Sequence, residues 1–208
     1  MRLNPKVIQI IGDGIIPLMG YFLWDWSLYY ILLFYFLDLF TKEALLHLKT
    51  KKIKSVQHHN DSSLIKKWFF KGVISLTILS LSLLLIHLTM LYLYPDFSAL
   101  KEIISFMSYK EMGIPQGILL IPLIIAMGYV QFKNEFIKPK QYLTLKFQLI
   151  WKNHFTSSLM ILAGAGLGLG ISTFIILPEW LLVIAIVLVS GVYQFRNKEQ
   201  IQDLKTQD

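Results

Sequence analysis

The chain has 208 residues, 55% of them hydrophobic and only 16% charged, with a net charge of +7. A soluble domain carries about 45–50% apolar and about 25% charged residues, and several runs here reach the roughly 20 apolar residues that cross a bilayer as a helix. No cysteine is present, which excludes thiol nucleophiles, disulfides and thiolate metal sites. The positive charge falls in short loops, a pattern of membrane orientation rather than of nucleic-acid binding. The expectation is an all-α polytopic membrane protein. Six transmembrane helices in three hairpins, with short interfacial helices, form one domain over residues 1–195, followed by a polar tail over 196–208.

The N-terminus is short and basic and runs directly into apolar residues without a small-x-small cleavage site before Trp24. Span 1, residues 7–23, is therefore expected to be retained rather than removed as a signal peptide. Trp24-Asp25-Trp26 makes a tight turn with two indoles at the expected interface. Span 2 covers 27–46, and a polar basic segment, 47–67, leads to span 3 over 68–94, which stops at Pro95.

Residues 96–112 are too mixed to span. Leu100, Ile103, Ile104 and Met107 recur at helical spacing opposite Lys101 and Glu102, predicting an interfacial amphipathic helix. Span 4 covers 113–132, with Pro115 in its first turn. The second basic segment, 133–152, alternates like a strand, but an isolated strand beside a membrane has no partner, so a surface helix running into span 5 is expected. Span 5 covers 155–177, Pro178-Glu179-Trp180 turns the chain, and span 6 covers 181–195.

Of the twenty Lys and Arg residues, eighteen fall on one side of this arrangement, and only Lys101 and Lys110 fall on the other. The bias places both termini and both basic loops in the cytoplasm of a plasma or inner membrane, where the lysines meet anionic lipid head groups.

Hydrocarbon disfavours charge, so ionisable residues inside spans carry the candidate chemistry. Lys42, Glu43 and Lys71 stand at cytoplasmic helix ends and are expected to reach the interface. Asp13 and Asp38 lie deeper, twelve residues before and thirteen after Asp25. At helical rise both fall roughly 18–20 Å from the outer turn. Two carboxyls meeting in low dielectric would share a proton or a cation, the basis of a proton or cation relay. Tyr35 and Lys42 share the face of Asp38 and would complete this polar site.

The bland alternative pairs Asp38 with Lys42 one turn on and uses Asp13 to join helices, leaving a membrane scaffold or partner subunit. His87 reads as a bonded packing histidine. Gly164, Gly166, Gly168 and Gly170 form two overlapping G-x-x-x-G pairs for close helix contact rather than a dinucleotide loop. His58, His59 and Asp61 are weak as a metal set. No motif demands a cofactor or names an enzyme.

The stretch Asp13-Gly14-Ile15-Ile16-Pro17-Leu18-Met19-Gly20, then Trp26, then Tyr35-Phe36-Leu37-Asp38, resembles an uncharacterised membrane family of bacteria and archaea, domain of unknown function six-four-nine-eight. The resemblance covers the first hairpin. It departs from the family pattern at Asp13, where Asn is usual, at Phe36 for Trp and at Asp38 for Glu. It implies a polytopic membrane protein with polar positions at Asp13 and Asp38, and it supplies no reaction.

Overall fold

The structure, a computed structural model, describes residues 5–57, 62–108, 110–111, 114–174 and 178–191. These residues are helical almost throughout: α1 (Pro5–Leu23), α2 (Leu28–Gln57), α3 (Ser62–Leu93), α4 (Ala99–Ser108), α5 (Gln116–Phe132), α6 (Phe147–Phe174) and α7 (Glu179–Gly191). Extended structure among them is confined to a two-residue antiparallel pairing of β1 (Lys110–Glu111) with β2 (Ile114–Pro115). Pro115 therefore precedes α5 instead of occupying its first turn. The polar tail lies outside the described residues.

Two helical stretches, Ile65–Leu93 and Ile118–Ile137, are long and apolar enough to cross a membrane. α1 and α7 hold shorter apolar stretches, Gly14–Leu23 and Glu179–Gly191. The apolar run of α2 is interrupted by Asp38, Lys42 and Glu43.

The chain divides into two compact units, residues 1–34 with 171–208, and residues 35–170. In the first, the turn after α1 forms as its sequence predicts. Asp25 adopts a left-handed φ of 48°, and the Trp26 N–H returns to the Gly20 carbonyl at 2.9 Å. The Trp26 ring is buried against Gly20, where a Cβ would stand 2.3 Å from the indole. One of the two expected interfacial indoles is thus a packing residue. Glu179 Oε1 accepts the Leu28 N–H at 2.9 Å, satisfying a backbone donor at the start of α2 that no helical carbonyl can reach.

In the second unit the first basic segment, expected as a loop, is helical over its described residues. α2 continues to Gln57 and α3 starts at Ser62. No Gly or Pro occurs between residues 44 and 71, and Leu, Lys and Gln favour helix. Leu46 and Ile53, two turns apart, enter a core with Phe132, Phe136, Phe147 and Trp151, while Lys51 and Lys52 are exposed.

The second basic segment is broken rather than continuously helical. A π-helical turn, Lys133–Ile137, extends α5, and a 3-10 turn, Gln141–Leu143, follows Lys140 in a left-handed conformation (φ 55°). The expected surface helix running into the next span begins only at Phe147. Gln57 Nε2 donates to the Tyr142 and Leu145 carbonyls at 2.8 and 3.2 Å, tying α2 to this turn. α4 forms where predicted, with Leu100, Ile103 and Ile104 of its apolar stripe exposed and Phe106 buried.

Candidate functional site

The second unit buries a polar cluster where α2, α3 and α6 meet. Glu43 and His47 are four residues apart on α2 and so share a face. Ser75 comes from α3, and His154 and Ser158 come from α6. Gly72 admits the helices to this distance, since a Cβ there would stand 2.9 Å from His47 Cε1.

The Glu43 carboxylate is 6% exposed. Its Oε2 accepts the Ser75 hydroxyl at 2.7 Å and lies 2.9 Å from His154 Nε2. Ser75 Oγ is itself 2.6 Å from the same nitrogen. On the other side, His47 Nε2 stands 3.1 Å from Oε1, within ion-pair reach. That approach lacks hydrogen-bond alignment, and Oε1 has no hydrogen-bond partner. Isolated ions are strongly disfavoured in such surroundings, so a carboxylate persists there only when paired and hydrogen-bonded.

Aromatic rings enclose the histidines. Trp68 and Trp151 meet the His47 ring edge-to-face, each at 5.7 Å between centroids. Trp151 also meets His154 edge-to-face at 6.1 Å. The Trp68 indole donates to Thr50 Oγ1 at 3.0 Å, and Thr50 bonds back to the Leu46 carbonyl at 2.9 Å. Trp151 is fully buried with its Nε1 unbonded.

Serine, histidine and glutamate together suggest a nucleophilic triad, but the geometry excludes one. A triad histidine receives the serine proton on one ring nitrogen while the acid holds the other. Here Ser75 and Glu43 face the same nitrogen, Nε2 of His154. The arrangement suits exchange of protons among a carboxylate, a hydroxyl and two imidazoles.

The residues singled out from sequence fall elsewhere. Asp13 lies on α1, and its side chain is outside what the structure describes. Asp38 belongs to the same compact unit as the Glu43 cluster, but Lys42 Nζ donates to its Oδ2 one turn along the helix. Tyr35 is partly buried a turn before it. Glu43, expected at the interface beside Lys42, is instead enclosed by two other helices.

His87 bonds through Nδ1 to the Leu83 carbonyl at 2.8 Å and meets Phe97, which gives it a packing role. Among the described residues, no atom lies within 4 Å of where a Cβ would stand at Gly166 or Gly170. The surroundings of Gly164 and Gly168 are outside what the structure describes, as are His58, His59 and Asp61. Among the described residues no cluster has metal-binding geometry. The available signal for the site is the Glu-x-x-x-His spacing at 43 and 47. Ser75 and His154 carry no mark in the sequence.

No family model, curated protein or solved structure matches the chain.

Proposed function

We propose that this chain is a multi-pass protein of the cell membrane, with six spans and both termini in the cytoplasm, that relays protons through the Glu43 cluster. Membrane residence is supported by the outward faces of its apolar helices. Only 11% of the apolar window is buried in each of the two spanning helices. Phe69 and Phe70 of α3 are 68% and 66% exposed. A core helix of a water-soluble protein would cover such a surface, whereas lipid accepts it. The lysine bias supports the orientation and places the anionic leaflet at the basic ends.

The observation carrying the relay is a buried carboxylate flanked by two imidazoles and a hydroxyl contributed by three helices. Histidine changes charge near neutral pH, and each imidazole can take a proton at one nitrogen and release it at the other. Glu43 Oε1, without a hydrogen bond, is the atom available to receive one. Asp38, little more than a turn toward the start of α2, forms an accessory polar step with Lys42.

A second reading, a membrane scaffold, is favoured by the same bonds, because they tie three helices together. Glu43→Gln separates the two, since Gln keeps the volume and can accept from Ser75. In liposomes with an internal pH dye and an imposed potential, wild type should carry protons and Glu43→Gln should lose at least about tenfold of the flux, the scale of a positioned acid–base group, at near-wild-type thermal stability. Equal flux for both proteins, or none above empty liposomes, would leave the scaffold reading in place.

A further inference from the structure

We propose that the cytoplasmic end of α3 seats the phosphate head group of an anionic phospholipid between Lys67 and Lys71, its acyl chains lying along the exposed apolar face beyond. The seat rests on the membrane reading above and is independent of the Glu43 cluster. Lys67 and Lys71 are one helical turn apart, and their ammonium groups repel one another. Among the described residues neither forms an ion pair with a carboxylate. Lys71 Nζ is held 5.5 Å from the centre of the Phe147 ring of α6, a cation–π contact that fixes the side chain without neutralising it. Two neighbouring ammoniums with no acid between them form a site for a phosphodiester oxygen.

The surroundings choose lipid over a free anion. Phe70, Ile74 and Leu81 follow on the Lys67 side of α3, all exposed. A bare phosphate would leave them uncovered, whereas one lipid molecule satisfies both the charges and the apolar face. Lys71 is about 6 Å deeper along the helix than Lys67, and its long stem lets the ammonium reach back toward the head-group layer.

The full chain is purified in a neutral maltoside, and its Tm is followed with added phosphatidylglycerol, phosphatidylcholine or inorganic phosphate. Phosphatidylglycerol should raise Tm by about 4–8 °C, as expected for a ligand well above its Kd, and the other two should do little. The double substitution Lys67→Gln with Lys71→Gln should lose most of that shift. Lys51→Gln with Lys54→Gln, equal in charge but on the far end of α2, should retain it.

Equal shifts with both lipids, a full shift with phosphate alone, or equal losses in the two double variants would overturn the seat. If the Lys67 and Lys71 variant does not fold, competition between the two lipids for wild type in native mass spectrometry decides the matter: preferential retention of phosphatidylglycerol supports the seat, and equal retention overturns it. Glu43→Gln should keep the phosphatidylglycerol shift, so failure of the relay leaves the lipid result standing. Release of the chain from membranes by alkaline carbonate would overturn the membrane reading itself.

Discussion

Asp38 and Glu43 stand little more than a turn apart on α2, and their surroundings differ completely. Asp38 takes its partner from its own helix, Lys42 at the next turn, and both side chains are partly exposed. Glu43 is closed off and takes partners from α3 and α6 as well as from His47. The first carboxylate is satisfied by local spacing, which any helix of this sequence would provide. The second is satisfied only when three helices are assembled. Function and stability should therefore respond to Glu43 far more than to Asp38.

The largest effect is expected for Glu43→Leu. It removes the acceptor for Ser75 and both imidazole contacts and leaves buried polar groups unpaired, a loss of about 2–4 kcal/mol. Thermal unfolding in detergent should show it, with Glu43→Gln recovering most of the loss. If Glu43→Leu is as stable as wild type, the cluster is not what joins α2, α3 and α6.

Next comes the glycine that permits the approach. Gly72→Ala places a Cβ 2.9 Å from His47 Cε1, and crowding of this kind costs about 1–3 kcal/mol. Gly166→Ala meets nothing within 4 Å among the described residues. It should be neutral or slightly stabilising, because Ala is the better helix former by up to about 1 kcal/mol. The opposite ranking would mean that the glycine run of α6, rather than Gly72, marks a tight helix crossing.

This contrast also explains what is legible in the sequence. Helical class, the turn at Asp25, the helix over residues 99–108 and the Asp38–Lys42 pair all depend on neighbours within a few positions, so spacing reveals them. The continuation of α2 through its lysines is hidden because a polar basic stretch resembles a loop. Ile53 and Thr50 inside that stretch are fully buried, and they mark the helix face. The cluster depends on separations of 32 residues from Glu43 to Ser75 and 79 from Ser75 to His154, which no local period encodes. Nearness to Lys42 points Glu43 toward the interface, although the two side chains leave the helix about 100° apart.

The smallest effect should come from Asp38→Asn, and it tests whether the accessory step matters at all. The Asp38 and Lys42 side chains are 22% and 41% exposed, so their attraction is weakened by solvent and worth roughly 0.3–0.5 kcal/mol as a same-helix pair. Asn keeps the shape and can still accept from Lys42, so Tm should move by no more than about 2 °C. Salt should change that small difference, because a partly exposed pair is screened across a Debye length of about 8 Å at physiological ionic strength. If Glu43 is the centre of the relay, proton flux in Asp38→Asn should fall by less than about threefold, far short of the loss in Glu43→Gln. A collapse of flux in Asp38→Asn with Glu43→Gln unaffected would move the site back along α2 to the carboxylate that the sequence makes conspicuous, and Asp13→Asn would then be the variant to measure beside it.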